Sequence, residues 1–185
     1  MIVKEEPALM RSSIVADSSV LIHLSRIGMF HLLRSLYEKL IIPRAVHREV
    51  VEEGHGRPGS SEVEDATKSG WINVKGVCDE EAVRTLMETH GLHLGDAEVV
   101  RLALEIRAKL VLVDELRIRK VLGNRGVKVR GCMGILVEAA ERCLISPNEA
   151  ECAIEKLVRT GYRVCSKLIR KVRSLLEELA RRKPL

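Results

Sequence analysis

Two short aliphatic runs in this chain each end in a carboxylate. Ile14-Val15-Ala16 stops at Asp17, and Leu110-Val111-Leu112-Val113 stops at Asp114. A run of that length followed by helical spacing reads as a buried strand handing over to a helix. Acids at the carboxyl ends of parallel strands face the crevice where open α/β sheets bind ligands. Each acid alone reads as a helix cap; the pair together points to a site. Asp96 joins them. With residues set 100° apart on a helix over 96–108, it falls in the apolar arc of Val99, Val100 and Ala103, while Glu98, Arg101 and Glu105 lie along the opposite, polar face and Glu98 reads as solvated surface. A carboxylate aimed into the protein needs a partner. Glu49 and Glu53 flank the apolar side of the helix after the second strand, and the pattern does not choose between them.

Acids converging in this way repel one another, and a divalent cation resolves the conflict. All-oxygen ligation suits Mg²⁺ or Mn²⁺ rather than zinc. Such an ion can activate water and clamp a phosphodiester, which is nuclease chemistry. Other chemistries fit less well. His90, His93 and Asp96 are spaced too loosely, across a turn, for a transition-metal site. GHGRPG at 54–59 follows a helix, not a strand, and reads as a loop. A phosphate-accepting response regulator needs an acid ending the third strand, and WINVKGV has none.

The elements that must carry these acids alternate along the chain. Strands fall at SSIVA, KLIIP, WINVKGV, LVLVD and VKVRG, with helical patterns between them and Pro43 opening the helix after the second strand. That alternation predicts an α/β fold with a parallel sheet, helices on both faces and right-handed crossovers. From Ser146 the pattern is helical only, with a Ser-Pro helix start and a basic amphipathic tail striped by Leu168, Val172, Leu175 and Leu179. The expected organisation is a domain at 12–145 and a helical extension at 146–185, packed on the domain or in a dimer interface. A homodimer is expected, because the apolar stripes need a partner face.

The composition narrows the class. The chain has 185 residues, 46% of them hydrophobic but only 2% aromatic, so the core must be aliphatic. The net charge of +5 fits a polyanion partner, and Arg117, Arg119, Lys120 and Arg130, with Arg125 and Lys128, could contact an RNA backbone. The same residues read equally as a solvated helix face. With so few aromatics, a stacking platform for bases is not expected. Five cysteines without C-x-x-C spacing argue against a disulfide framework or a zinc ribbon. The polar start MIVKEEPALMRSS lacks a signal-peptide pattern, and no apolar run approaches the ~20 residues of a membrane span, so a cytoplasmic, membrane-free protein is expected.

In order, IVADSSVLIHLSRIG, IIPRAVHREVVEEGHGRPG, LHLGDAEVVRLALE and LVLVDELRIRKVLGNRGVKVRGCMGILVEAAERCLI resemble the blocks of the PIN-domain family, closest to its prokaryotic branch related to VapC toxin nucleases. The resemblance runs from about Ile14 to Ile145. It implies a three-layer α/β/α sandwich with five parallel strands in the order 3-2-1-4-5. It also implies an Mg²⁺- or Mn²⁺-dependent endoribonuclease. The family's catalytic acids match Asp17, Glu49, Asp96 and Asp114, which prefers Glu49 over Glu53. Asp17, Asp96 and Asp114 would be the metal ligands. Ser18 or Ser19 matches a hydroxyl that follows the first acid, and Glu115 a second acid beside the fourth-strand aspartate. One departure stands out: where the family commonly has G-T-x-G, this chain reads Gly131-Cys132-Met133-Gly134. Toxin-like relatives bind an antitoxin partner. A non-catalytic metal- or nucleic-acid-binding module is the competing reading.

Overall fold

The computed structural model describes residues 13–182; the polar start at 1–12 lies outside them. Five parallel strands, β1 (Ile14–Ala16), β2 (Leu40–Pro43), β3 (Ile72–Lys75), β4 (Leu110–Leu112) and β5 (Val129–Arg130), form one sheet in the order β3-β2-β1-β4-β5. Helices cover both faces, giving the expected α/β/α sandwich. β1 is the central strand, and its register against β4 pairs Ile14 with Leu110, Val15 with Val111 and Ala16 with Leu112. The Asp17 amide donates to the Leu112 carbonyl at 2.9 Å, one step past the strand. Asp17 and Asp114 therefore leave adjacent strands at the same edge of the sheet. Order reverses between β1 and β4, so this edge is the switch point where open α/β sheets bind ligands.

The helices start and stop for local reasons. α1 (Ser18–Arg26) takes Asp17 as its N-cap and breaks before Gly28, whose φ of +74° suits a residue without Cβ. α2 (His31–Tyr37) returns the chain to β2. Pro43 ends β2 and sits just before α3 (Arg44–His47), one position earlier than its expected first-turn place. α3 then widens into a π-helical stretch, Arg48–Glu52, which carries Glu49. Single π-turns inside helices are frequent at functional sites. α4 (Ser60–Lys68), α5 (Glu80–His90) and α6 (Leu94–Glu105) follow. α7 (Leu116–Gly123) starts at its cap Glu115, and α8 (Cys132–Glu141) starts directly after Gly131.

The core is mostly aliphatic. Val15, Leu21, Leu24, Leu112, Ile118, Leu122 and Ile135 are fully buried, and Phe30 and Trp71 meet at the periphery. α9 (Pro147–Arg159), with the Ser146–Glu149 capping box, and α10 (Ser166–Arg182) join that same core. α9 buries Ala150, Ala153, Ile154 and Leu157, and α10 buries Val172 and Leu176. The C-terminal helices thus pack on the domain. Two helix-wheel readings need correction. The buried stripe of α10 is Ile169, Val172, Leu176 and Leu179, whereas Leu168 and Leu175 are exposed. Glu98 is half-buried, and its carboxylate accepts the Ala45 amide at 3.0 Å, capping α3. Glu105 also turns inward, accepting from the Cys78 and Asp79 amides and from Arg101. Among the described residues, no helix is long and apolar enough to cross a membrane.

Candidate active site

Among the described residues, Asp17 is the most enclosed acid. One carboxylate oxygen, Oδ2, accepts from the Ser19 amide at 3.3 Å and from the Ser19 hydroxyl at 2.5 Å. The other, Oδ1, is buried without a hydrogen-bond partner. Burial pushes the Asp17 pKa up to about 7; the Ser19 hydroxyl opposes the rise, and the charges of Asp96 and Glu49 add to it. So Asp17 is a helix cap, as an acid before a helix should be, and its second oxygen is left over.

Glu49 and Asp96 stand in a cleft of ≈ 410 Å³ together with Ser18, Arg48, Glu53 and His93. Glu49 sits at its accessible side, yet burial raises its pKa; Ser18 opposes that rise, and Asp96 and Glu53 reinforce it. Burial likewise raises Asp96, against the His93 backbone and side chain and with Glu115. Gly95 lies so close to Glu49 that an added Cβ would sit 3.3 Å from its Oε2. Glu53, by contrast, is exposed and pairs with Arg48 at 3.4 Å. The pattern left Glu49 and Glu53 open; the fold turns Glu49 toward Asp17 and Asp96. His93, read from sequence as ordinary surface, lines the cleft.

Asp114 lies at the same sheet edge but has a different environment. Oδ1 accepts from the Cys132 amide at 2.9 Å and from the Tyr162 hydroxyl at 2.6 Å. Oδ2 lies 3.1 Å from His23 Nδ1 and 2.9 Å from Cys132 Sγ. With Nδ1 protonated, these four donors fill the four lone-pair positions of a carboxylate. Burial alone would raise the Asp114 pKa, but hydrogen bonds from His23, Cys132 and Tyr162 outweigh it and hold the group below the ordinary range. The Ser19 hydroxyl, 3.5 Å from the Asp114 amide, links the two strand-end acids. Gly131 is required here: a Cβ on it would lie 2.5 Å from Asp114 Oδ1.

His23 and Tyr162 were not among the expected site residues. Their rings meet edge to face at 5.1 Å beside Asp114. His23 lies on α1, the helix that Asp17 caps, and its placement there was the available signal. Tyr162 lies in the turn between α9 and α10, 48 residues from Asp114, and carries no local signal.

The basic residues divide. Arg117 and Lys120 are exposed, and Arg117 also donates to the Gly91 carbonyl at 3.0 Å. Arg119 donates to the Val113 carbonyl at 3.0 Å. Arg130 is engaged with Tyr37 and Glu138, and Glu138 also binds Arg142 at 2.7 Å. Arg119 thus ties α7 to the end of β4, and Arg130 ties β5 to α2 and α8. Glu115 is exposed and caps α7 through the Arg117 amide at 3.4 Å.

The donor set fits a hard divalent cation. Asp17 Oδ1 is an orphaned buried oxygen, and Glu49 and Asp96 both bear electrostatically on it. Unpaired buried carboxylates are costly, and a bound cation removes that cost. A parallel sheet in this order, with acids crowded at its switch point, is the arrangement of a nuclease of the PIN type. The sequence profile of the PIN-domain family matches residues 13–178, and the chain belongs to that family. PIN domains are generally nucleases that use divalent metals. The match extends beyond the expected limit near Ile145 and takes in Tyr162 and most of α10. No curated protein matches the chain.

Proposed function

We propose that this protein is an Mg²⁺- or Mn²⁺-dependent endoribonuclease in which Asp17, Glu49 and Asp96 hold the metal. The observation that carries this reading is the buried, partnerless Asp17 Oδ1 beside two further acids whose pKa values are raised. When bound, the ion would supply positive charge to the phosphodiester and acidify a water for in-line attack. Mg²⁺ keeps several of its waters, which suits a set of acids standing around an open cleft. Ser19 orients Asp17, and Ser18 orients Glu49. Asp114, which the resemblance makes a metal ligand, has its oxygens engaged by His23, Cys132 and Tyr162 in the metal-free protein, so this proposal gives it the part of a negative charge at the acidic edge and puts Glu49 among the ligands. Glu115 adds charge near Asp96, and exposed Arg117 and Lys120 grip the RNA backbone.

The broader biology belongs to the same proposal: a cytoplasmic, VapC-like toxin held by an antitoxin, working as a homodimer. Exposed Leu168 and Leu175, two turns apart on α10, give that dimer an apolar contact. Sedimentation of the wild type and of Leu168→Glu/Leu175→Glu tests it, and a monomer in both removes it.

The central test is cleavage of a mixed, end-labelled RNA pool with Mg²⁺, Mn²⁺ or EDTA. Cuts that need metal and vanish in Asp17→Asn are expected. A folded protein that cuts with neither metal would leave the binding-module reading in its place.

A further inference from the structure

Among the described residues, the one group of metal-ligating side chains whose atoms all lie within 4.8 Å of one another is not the oxygen set. It is His23, Asp114 and Cys132. We infer that these three residues form a second cation site, specific for a thiophilic divalent ion of the zinc class. The inference rests on the donor chemistry around Asp114, whose charge the proposed nuclease also uses, so its test reads metal binding rather than cleavage.

The chemistry of the set differs from that of Asp17, Glu49 and Asp96. An imidazole nitrogen, a carboxylate oxygen and a thiolate sulfur select Zn²⁺ or Co²⁺ and are poor ligands for Mg²⁺. Two of the donors that fill the Asp114 lone pairs, the His23 and Cys132 groups, are convertible. Once Cys132 loses its thiol proton and His23 shifts its proton to Nε2, both become ligands, and the Asp114 oxygen they shared is freed for the ion. Binding therefore releases one proton, from sulfur, and needs no oxidant or reductant.

The geometry is near what such an ion requires. Tetrahedral zinc with sulfur at ~2.3 Å and nitrogen or oxygen at ~2.0 Å separates its ligand atoms by roughly 3.3–3.6 Å. Here Nδ1 and Sγ lie 3.1 and 2.9 Å from Asp114 Oδ2, with all three atoms within 4.8 Å of one another, so those two edges have to open by about half an ångström. Cys132 is fully buried at the start of α8, while the His23 side chain is 23% exposed and gives the ion a way in. The set stands on regular elements: Asp114 follows the central sheet, Cys132 opens a buried helix, and His23 lies on the helix capped by Asp17. Tyr162 keeps its bond to Asp114 Oδ1, ordering the ligand's other oxygen as outer-shell groups commonly do.

Cobalt reports this site directly. The full chain would first have its four exposed cysteines, Cys78, Cys143, Cys152 and Cys165, replaced by serine, and then be titrated with Co²⁺ in excess Mg²⁺. The expected result is a thiolate-to-cobalt charge-transfer band with intense tetrahedral d–d bands, saturating at one equivalent and displaced by Zn²⁺. Both should disappear in Cys132→Thr and in His23→Gln. Far-ultraviolet circular dichroism identifies any variant that fails to fold; for such a variant, Cys132→Ser serves as the second sulfur-free protein. A cobalt spectrum that is weak, octahedral and unchanged without Cys132, or no binding at all, overturns the inference. Asp17→Asn, which lies outside the His23, Asp114 and Cys132 set, should keep the cobalt bands and lose Mg²⁺-dependent RNA cleavage, so the two proposals fail separately.

Discussion

The Tyr162 hydroxyl donates to Asp114 Oδ1 at 2.6 Å, joining the turn between the last two helices to the end of the fourth strand. It is a hydrogen bond to a charged acceptor in a mostly buried place. Tyr162→Phe removes the donor and keeps the ring against His23. A loss of about 1.5–3 kcal/mol in stability at neutral pH is expected, measured by urea denaturation. The sign with pH follows from the lowered Asp114 pKa: its stabilisation is present above the unfolded value of 3.8 and is lost as pH falls through the folded value. The Tyr162→Phe deficit should therefore shrink in acid.

Gly131 and Gly123 make opposite predictions for the same substitution. Gly131→Ala drives a Cβ to 2.5 Å from Asp114 Oδ1, with Val113 backbone behind it, so Asp114 has to move. A loss of about 1–3 kcal/mol is expected, together with lost metal-dependent cleavage. Gly123 ends α7 with open space at its Cβ, and Gly123→Ala should be neutral or stabilise by about 0.4–1 kcal/mol. Thermal melts of the two variants side by side decide the matter; equal effects would mean Gly131 does not hold Asp114.

Asp17 should make the metal-free protein weaker as pH rises. Unfolded, this carboxyl titrates near 3.8; folded, near 7. Well below pH 3.8 both states keep the proton and no buried charge has to be borne. Between pH 4 and 7 the folded chain holds a proton the unfolded chain has lost, and above 7 it carries a buried anion at a cost of up to about 4 kcal/mol. Melting in EDTA should thus fall from pH 5 to pH 8, and Mg²⁺ should restore it at pH 8. Asp17→Asn should be the more stable protein at pH 8 in EDTA and lose the Mg²⁺ response.

The C-terminal helices should be inseparable from the rest. A chain ending at Ile145 loses Leu157, Ile154, Val172 and Leu176 from the core, and Tyr162 from Asp114. Each large aliphatic is worth about 2–5 kcal/mol on truncation, which exceeds the usual net stability of a domain when several go together. The shortened chain should expose apolar surface and be rapidly proteolysed. A cooperative melt in that chain would show that 146–185 is a separate appendage after all.

Two arginines read alike in the sequence and should behave differently. Arg117→Ala, at an exposed position, should weaken RNA binding for all sequences and lower the salt slope by about 1, with stability unchanged. Arg130→Ala leaves half-buried Tyr37 and buried Glu138 short of a partner and should destabilise by about 1–3 kcal/mol. Salt-dependent binding and denaturation separate the two.

Much of this protein could be read along the chain. Strand–helix alternation, the strand-end acids and the aliphatic composition each follow from local rules, and they predict the parallel sandwich and the approach of Asp17 to Asp114. The family blocks add the strand order. Helix faces were harder. Glu98 looked like surface because a wheel knows one helix only; the fold sets α3 against it and gives it an amide to cap. The stripe on α10 was misplaced by one residue at Leu168 and Leu175, since neighbouring rows of a basic amphipathic helix differ little in polarity. What tertiary structure alone decided is the contrast between two strand-end acids. Asp17 keeps a buried oxygen without a partner, whereas Asp114 is filled by His23, Cys132 and Tyr162. Those donors come from α1, α8 and the α9–α10 turn, and no local pattern encodes a distance across that much chain. The sequence by itself determined which residues could do chemistry and which strand ends would carry them. The packing of distant elements determined which carboxylate oxygens remain open to a cation, because that depends on where every competing hydrogen-bond donor comes to rest.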